Sequence, residues 1–330
     1  MTAPRLDVVG IGNAIVDIIG RCDDAFLARY DAPKGHMRLV DTATLMGLYG
    51  AMGPGIEISG GSAANTIAGI ASLGGSCGFI GKTGDDEFGR IFSHDIRAQG
   101  VAFTNTPIAG AATSRSLILV TPDGERTMNT FLGVSTELAA TDLDAALIGR
   151  ANVVYLEGYL FDGAGATAAF EKAATLARAG GGRVALSLSD SFCVDRHRDA
   201  LLGFMRAHVD ILFANESEII ALYQTADFAA AAQRAAGDVA LAALTRGAQG
   251  SVILHKGQTI TVPVHKVDKV VDTTGAGDLY AGGFLFGLAR GLALDTCGQL
   301  GGLAAAEVIS HLGARPESSL AKLAAAAQLG

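Results

Sequence analysis

The sequence predicts an α/β protein in which a mostly parallel central sheet is accompanied by a smaller second sheet. After residue 136, apolar runs alternate with Ala-rich stretches of helical character. Strands separated by helices form βαβ units, in which neighbouring strands are parallel. Two extended segments, HMRLVD (36–41) and SLILVTPDGERTMNTF (116–131), interrupt this alternation. They are far apart in the sequence, and we expect them to meet in the second sheet.

The elements of the N-terminal third follow from local signals. LDVVGIG (6–12) is a short apolar run that ends in glycine, which is typical of a buried strand. A helix is predicted over 61–73 after a Gly-Gly turn, and GFIGKTG (78–84) predicts another strand and loop. Within 116–131 a Pro-Asp-Gly turn separates two extended runs, which predicts a β-hairpin.

The remainder of the chain is predicted to supply most of the parallel sheet. Its four predicted strands are NVVYLEG (152–158), RVALSLS (183–189), VDILFAN (209–215) and VALAALTRG (239–247). SVILHKGQTITVPV (251–264) predicts a second hairpin, and residues 279–328 are mostly helical in character.

The composition allows one large α/β domain or two smaller ones. The 330 residues include 49% hydrophobic and 18% charged residues, so a substantial core is available. The formal net charge is −8, Trp is absent and no basic cluster stands out, so we expect no nucleic-acid partner. The four cysteines form no CxxC pair, which argues against a disulfide framework or a structural metal site.

The sequence predicts a cytoplasmic protein without a membrane segment. The first residues, MTAPRLDVVG, lack the charged and then apolar layout of a signal peptide. Residues 58–81 carry no charge, but they contain seven glycines, several serines and Asn65. This composition favours a helix flanked by loops over a transmembrane span.

Two short motifs that would indicate other nucleotide-binding folds are incomplete. GIGNAI (10–15) begins like the dinucleotide fingerprint, but Ile15 stands where its third glycine belongs. GKT (81–83) resembles the end of a P-loop, but Ser76 stands where that motif requires its first glycine. The sequence therefore argues against a Rossmann and a Walker A site.

A glycine turn between a β-branched run and an apolar helix lies in VVDTTGAGDLYAGGFLFGL (270–288). In this order the N–H groups of the turn converge on one point, and the helix dipole adds partial positive charge. The turn is a candidate anion site, and Asp278 beside it is a candidate base for phosphoryl transfer to an alcohol. The alternative is a helix cap in which Thr273 or Thr274 supplies the hydroxyl.

A second glycine turn opens the helix in SGGSAANTIAGIASLGG (59–75). Gly60 and Gly61 would let a small polar ligand reach the backbone, and Asn65 faces the same helix end. The alternative is a plain turn with Ser62 as the helix cap.

A carboxylate follows the first predicted strand, where Asp17 stands four residues after Asn13. Such a carboxylate could accept two hydrogen bonds from a vicinal diol. An isolated aspartate is more often an ordinary surface residue.

Polar residues at two predicted strand ends indicate a nucleotide site. NESE (215–218) follows VDILFA, and ligands of open α/β sheets bind at such ends. Glu218 is a candidate for holding Mg²⁺ through water, because magnesium dehydrates reluctantly. TRGAQG (245–250) ends the next strand with two glycines and suits a phosphate or ribose contact. An ordinary surface loop is the alternative for both segments.

Together these segments resemble the ribokinase-like, or pfkB-type, family of carbohydrate kinases. GGSAANTIAGIASLGG and DTTGAGDLYAGGFLFGL are similar to its two signatures, and NESE resembles its Asn-x-x-Glu magnesium motif. FIGKTGDDEFG (79–89) resembles a further family segment, and the resemblance covers nearly the whole chain in the family's order. GIGNAIVDI (10–18), LSLSDSF (186–192) and HVDILFANESEI (208–219) are most similar to the adenosine kinase branch.

The resemblance implies a role for each matching residue. The phosphoryl-transfer centre would comprise Asp278 as base, an anion hole of Gly275, Ala276 and Gly277, and the lid arginine Arg126. The acceptor site would comprise Asn13, Asp17, Gly60, Gly61, Asn65, Phe131 and Leu160. The ATP site would comprise Asn215, Glu218, Thr245, Gly247 and Gly250, with Glu218 organising Mg²⁺. The backbones of Asp272 and Thr274 match positions that hold a potassium ion, K⁺, in many family members.

The resemblance also implies a three-layer α/β/α sandwich with a small β-sheet lid. Residues 1–13, 45–105 and 134–330 would form the large nucleotide-binding domain, and residues 14–44 and 106–133 the lid. A closed lid would exclude water, so that ATP is not simply hydrolysed. The expected activity is ATP-dependent phosphorylation of a nucleoside 5′-hydroxyl, adenosine to AMP in purine salvage, by a monomer or homodimer.

Two alternatives stay open. A sugar kinase for ribose, fructose or a keto-deoxy sugar acid would use the same machinery, and Thr274 resembles sugar kinases because adenosine kinases often have Asn there. A nucleoside also requires an aromatic wall, for which Tyr159 and Phe161 lie in the matching region beside Leu160. The second alternative is a non-catalytic sensor, which would not need a base, an anion hole and Glu218 together.

Overall fold

The computed structural model describes residues 4–329 of the chain. The strands of this range are β1 Leu6–Ile11, β2 Ile15–Arg21, β3 Met37–Leu39, β4 Gly55–Gly60, β5 Cys77–Ile80, β6 Ser114–Val120, β7 Arg126–Phe131, β8 Ala151–Glu157, β9 Arg183–Ser187, β10 Ile211–Asn215, β11 Leu241–Thr245, β12 Ser251–His255 and β13 Gln258–Val262. The helices are α1 Asp24–Arg29, α2 Thr42–Ala51, α3 Ser62–Ser72, α4 Glu87–Ala98, α5 Ala145–Ile148, α6 Ala166–Ala179, α7 Ser191–His208, α8 Glu216–Tyr223, α9 Phe228–Asp238, α10 Ala276–Ala289, α11 Leu294–Val308 and α12 Leu320–Ala326. The strands predicted from the sequence are present, and β2 and β4 are additional.

The large sheet has eight strands in the order β13-β12-β11-β10-β9-β8-β1-β5. The six strands from β11 to β5 are parallel, as the βαβ alternation predicts. The hairpin β12–β13 adds an antiparallel edge. The strand order reverses between β1 and β8, and ligands of open α/β sheets bind beyond the carboxyl ends of strands at such a point.

Helices cover both faces of the large sheet. In β1 the neighbouring residues Val8 and Val9 belong to two different cores, because successive side chains of a strand point to opposite faces. The core around Val8 contains residues of α3, α10 and α11, and the core around Val9 contains residues of α6, α7, α8 and α9. The predicted three layers are therefore confirmed. Between residues 4 and 329, no helix combines the length and the apolar character that a membrane crossing needs.

The second sheet has five strands in the order β3-β7-β6-β2-β4. The extended segment and the hairpin meet here, since β3 pairs with β7. The membership of β4 differs from the predicted lid, which excluded residues 45–105. The reason is a long-range antiparallel pairing with β2, in which Ile15 lies opposite Gly60 and Gly20 opposite Gly55.

Strand register sorts the side chains of the small sheet between two faces. Asp17 lies opposite Ser116, and Ser116 lies opposite Thr130, so these residues share one face. Arg126 stands four residues before Thr130 and points to the same face. This face also carries a small apolar cluster of Ile19, Ile118, Val120 and Met128. The opposite face packs on α1, α2 and α4.

Candidate active site

The glycine turn lies at the start of α10. Gly275 is the N-cap, with a φ of 78° that glycine adopts without steric cost. A Cβ at position 275 would lie 2.7 Å from the Cβ of Ala314, so the loop at 313–315 packs directly on the turn. No side chain caps α10, and the Thr274 N–H instead donates to Asp272 Oδ1 at 2.9 Å. The threonine-cap alternative is therefore wrong.

Three N–H groups of this turn are available to an anion. Those of Gly275, Gly277 and Asp278 donate to no acceptor among residues 4–329. They lie at the N-cap and in the first turn of α10, where the helix dipole favours negative charge.

Asp278 points towards the start of α3. Its Oδ1 accepts a hydrogen bond from Ser62 Oγ at 2.6 Å, and its Oδ2 accepts one from Asn65 Nδ2 at 2.9 Å. Burial raises the pKa of Asp278 above its usual range, while these hydrogen bonds and the charge of Arg315 oppose the increase. Ser62 therefore orients Asp278 and does not cap α3, whose N-cap is Gly61. The Oδ1 atom of Asn65 is buried and has no partner among residues 4–329.

Asp17 lies inside β2, and its carboxylate abuts Gly60. A Cβ at position 60 would collide with that carboxylate, so a larger residue there would displace the Asp17 side chain. Burial raises the pKa of Asp17 to about 7; Arg315 and Arg126 oppose the increase, and Asp278 adds to it. Asp17 therefore shares one electrostatic environment with the start of α10.

A carboxylate that the sequence analysis did not single out lies under this site. Glu157 ends β8 and is fully buried. Its Oε1 accepts a hydrogen bond from Asn13 Nδ2 at 2.6 Å, and its Oε2 accepts one from the Ala63 N–H at 2.8 Å. Burial raises the pKa of Glu157 to about 7, although these donors oppose the increase. Glu157 therefore fixes both Asn13 and the first turn of α3.

Asn215 and Glu218 form a reciprocal cap at the start of α8. The Glu218 N–H donates to Asn215 Oδ1 at 2.9 Å, and the Asn215 N–H donates to Glu218 Oε2 at 3.0 Å. The Asn215 Nδ2 atom also donates to Glu218 Oε1 at 2.5 Å. Burial raises the pKa of Glu218 to about 7. NESE is thus the start of a helix and not an ordinary surface loop.

An apolar cavity of about 520 Å³ borders the glycine turn. Thr245, Gly247 and Gly250 line it after β11, and Thr273, Ala276 and Gly277 line it from the turn. Much of the remaining wall is apolar and includes Val262, Val264, Val270, Ala305 and Ile309. A cavity of this size and lining suits a planar organic base with few polar contacts. The structure brings the predicted nucleotide residues of TRGAQG and the anion turn to one cavity.

Arg126 reaches from β7 to the glycine turn. Its Nη1 atom donates to Thr274 Oγ1 at 2.6 Å and pairs with the carboxylate of Asp272. The same carboxylate accepts a hydrogen bond from the Gly313 N–H at 2.9 Å. Asp272 therefore organises the turn through its side chain, a role that the predicted backbone contact did not include. The Nε and Nη2 atoms of Arg126 are buried without a partner among residues 4–329.

Two predicted acceptor residues lie away from this site. Phe131 pairs with Arg115 in the register of β6 and β7, which puts it on the face opposite to Asp17, and the Arg115 guanidinium lies 5.8 Å from its ring centroid. Leu160 is buried in the core around Val9. The structure therefore does not bring these two residues to the face that carries Asp17. Strand parity explains the first difference, and packing against the helical layer explains the second.

Comparison with known proteins identifies the family to which this chain is similar. The profile described as "pfkB family carbohydrate kinase" matches residues 57–321. An adenosine kinase of Saccharomyces cerevisiae is 28% identical over 335 residues, which cover 95% of this chain and 96% of that protein. An uncharacterized sugar kinase of Archaeoglobus fulgidus is 29% identical over 255 residues, which cover 75% of this chain and 96% of that protein.

Two solved structures are similar over almost the whole chain. The adenosine kinase of Sinorhizobium meliloti is 50% identical, with a TM-score of 0.93, and the match covers 98% of this chain and 99% of that one. The probable sugar kinase protein of Rhizobium etli is 48% identical, with a TM-score of 0.94, and the match covers 99% and 100%. The chain therefore belongs to the pfkB family of carbohydrate kinases, near its adenosine kinase branch, and is an ATP-dependent phosphotransferase with an alcohol group as acceptor.

Proposed function

We propose that this kinase transfers the γ-phosphoryl group of ATP to the 5′-hydroxyl of a nucleoside, with adenosine as the substrate and AMP as the product. The position of the first turn of α10 carries the proposal. Gly277 lines the apolar cavity, while Asp278 bonds to Ser62 and Asn65 at the start of α3. A phosphoryl group bound at this turn would have the nucleotide on one side and the acceptor hydroxyl on the other.

Asp278 acts as the base in this proposal. The attacking hydroxyl gives its proton to the Asp278 carboxylate, and in a loose transition state that proton leaves late, when the oxygen has become acidic. The unpaired N–H groups of Gly277 and Asp278 hold the phosphoryl oxygens, as preorganised donors do in other enzymes. When ATP is bound, the Arg126 guanidinium leaves its contacts with Thr274 and Asp272 and instead neutralises the charge of the phosphates.

The acceptor lies against β2 and the start of α3. Asp17 accepts hydrogen bonds from two neighbouring hydroxyls of the ribose. The unpartnered Oδ1 of Asn65 accepts another, and Asn13, held by Glu157, faces the same sugar. Gly60 and Gly61 let the sugar approach the backbone closely.

Magnesium would be held through water in this site. Both carboxylate oxygens of Glu218 already accept hydrogen bonds from Asn215, so direct coordination would break the cap of α8. An outer contact through water keeps the cap and suits an ion that dehydrates reluctantly. A bound Mg²⁺ would neutralise negative charge on the phosphates of ATP.

The loop of Asp272 and Thr274 fits a potassium ion. Their carbonyl oxygens accept no backbone hydrogen bond within residues 4–329, and carbonyl oxygens are the ligands that K⁺ prefers. The Asp272 and Thr274 carbonyls would hold the proposed ion, which would stabilise the conformation of the anion turn.

Adenosine is supported by the relatives named adenosine kinase, one of which is 50% identical. A sugar kinase is the second candidate, and the positions of Phe131 and Leu160 favour it. Neither residue lies at the acceptor site, so the aromatic wall that a nucleoside base requires is incomplete. Tyr159 remains an aromatic candidate in this region: burial raises its pKa above the usual range, and the charges of Asp190, Asp278 and Glu218 add to the increase.

ATP consumption with a panel of acceptors tests the proposal. The panel contains adenosine, inosine, guanosine, ribose, fructose and a keto-deoxy sugar acid. We expect the highest kcat/KM with adenosine and a product phosphorylated at the 5′ position. A sugar that exceeds adenosine by tenfold or more would replace the nucleoside assignment, since tenfold corresponds to about 1.4 kcal/mol of transition-state binding.

A further inference from the structure

A buried arginine outside the predicted site holds both ends of the acceptor turn. Arg315 lies in the loop between α11 and α12 and is 8% exposed. Its Nε atom donates to the carbonyl of Ser59 at 2.8 Å, and its Nη1 atom donates to the carbonyl of Ala64 at 2.8 Å. Ser59 immediately precedes Gly60-Gly61, and Ala64 lies in the first turn of α3 after it. One rigid guanidinium therefore spans the turn.

The same loop holds the phosphate turn. The Gly313 N–H donates to Asp272 Oδ2 at 2.9 Å, and Asp272 in turn accepts from the Thr274 N–H. Ala314 packs against the glycine N-cap of α10. Three consecutive residues, 313–315, thus contact both glycine turns.

The burial of the Arg315 guanidinium is unfavourable for the stability of the fold. No carboxylate forms a salt bridge with it among residues 4–329, and its Nη2 atom is buried without a partner. A buried charge is strongly disfavoured unless it is paired and hydrogen-bonded, and the bonds to Ser59 and Ala64 offset only part of this cost. Lysine could not make both directional bonds, because its ammonium is a point charge and not a planar fork.

We propose that Arg315 is a positioning residue that fixes the acceptor turn, Gly60-Gly61, relative to the phosphate turn, Gly275–Gly277. This inference rests on the proposed roles of these two turns. Arg315 acts through the carbonyls of Ser59 and Ala64 and not by touching the reacting atoms. A small change in their spacing would move the acceptor hydroxyl away from the bound phosphoryl group, and such displacements lower rates strongly.

The charge of Arg315 provides a second readout. It lowers the pKa values of Asp17 and Asp278, both of which burial raises. Burial lowers the pKa of Arg315 itself to about 10, so the guanidinium remains charged at neutral pH. The other titratable groups that interact with Asp278 are Asp17 on β2, Tyr155 and Glu157 on β8, Tyr159 after β8 and Glu218 on α8. None of these residues is replaced in an Arg315 variant, but the pKa of Asp17 should rise together with that of Asp278 when the positive charge is lost.

Arg315→Met and Arg315→Lys in the full chain separate the two effects. With the best acceptor of the wild-type enzyme, we expect Arg315→Met to raise the acceptor KM by about tenfold or more, which is the usual cost of a lost charged hydrogen bond. The KM for ATP should stay within about twofold. The acidic limb of the kcat/KM profile should move to higher pH, because Asp278 loses a neighbouring positive charge. Arg315→Lys should keep the limb in place and still raise the acceptor KM.

Arg115→Met is the matched control. Arg115 is also a buried arginine, at 9% exposure, but it stacks on Phe88 on the outer face of the small sheet. Its loss should lower stability without moving the acidic limb. An unchanged acceptor KM in both Arg315 variants would overturn the proposal. If Arg315→Met does not fold, an unchanged acceptor KM in Arg315→Lys overturns it alone. If the wild-type enzyme prefers a sugar, the nucleoside proposal fails. The Arg315 proposal is then tested with that sugar as the acceptor, so the two failures are distinguishable.

Discussion

At the scale of single residues, Asp278 separates turnover from binding. Asp278→Asn keeps the side-chain volume and a partner for Ser62, but it cannot accept the substrate proton. We expect kcat to fall by ~10²–10⁴-fold, the usual loss for a general base, with little change in the dissociation constants of ATP and acceptor. Steady-state kinetics and calorimetric binding measure the two quantities separately.

Asp295→Asn is the matched control for that experiment. Asp295 also lies in the first turn of a helix, α11, but it is exposed. Its variant should turn over like the wild-type enzyme. A near-normal kcat in Asp278→Asn would remove the assignment of the base.

Glu157 makes stability depend on pH. Its pKa is about 7 in the folded protein and 4.5 ordinarily, so between these values the folded state holds a proton that the unfolded state has released. This contribution to the free energy of unfolding is complete below pH 4.5 and is lost as the pH rises through about 7. The loss amounts to roughly 3 kcal/mol at most, at about 1.4 kcal/mol per tenfold change in proton affinity.

Glu157→Gln tests this dependence by urea unfolding across pH. We expect the wild-type free energy of unfolding, relative to that of Glu157→Gln, to decrease between pH 4.5 and about 7. The difference between the two proteins isolates Glu157 from Asp17 and Glu218, whose pKa values are also raised. A difference that is constant over this range would contradict the raised pKa of Glu157.

At the scale of elements, the cap of α8 joins helix stability to the proposed magnesium contact. Asn215→Ala should destabilise the fold by about 1 kcal/mol, the typical loss for an N-cap. It also frees Glu218 from its donors, so we expect a higher Mg²⁺ requirement at fixed ATP. Asp227→Ala removes the N-cap of the next helix, α9, and should cost a similar free energy without changing that requirement. Equal Mg²⁺ requirements in both variants would mean that NESE does not contribute to Mg²⁺ binding.

The same scale shows which features a sequence can predict. Each glycine turn joins elements that are neighbours in the sequence, so a short segment is enough to predict it. In the structure, the start of α10, with Gly277 and Asp278, contacts the start of α3, with Asn65. Phe131 depends on strand parity, and a shift by one position moves a side chain to the other face. Glu157 and Arg315 have no local signal, because their partners are distant in the chain: Asn13 is 144 positions from Glu157, and Ser59 is 256 positions from Arg315.

At the scale of the whole molecule, Arg126 is one of the contacts that connect the small sheet to the phosphate turn. It is buried between Asp272 and Thr274, on the sheet face that carries Asp17. The assignment of β4 to the small sheet extends the proposed lid, because β4 leads directly into the acceptor turn. Movement of this sheet would therefore shift the acceptor residues and Arg126 together.

Arg126→Met should uncouple these movements from the phosphate turn. Removing the guanidinium eliminates the bond to Thr274 and the pair with Asp272, so β6 and β7 should exchange amide hydrogens faster while β8 and β9 keep their rates. We also expect kcat to fall by ~10²–10³-fold, comparable to the loss of one donor to transition-state charge. Arg38→Met removes a small-sheet arginine that bonds Asn129 on the outer face, and it should leave kcat unchanged.

Because a lid that no longer closes admits water, the fraction of ATP hydrolysed without acceptor should rise in Arg126→Met alone. Unchanged exchange and unchanged hydrolysis in that variant would mean that Arg126 does not hold the lid closed.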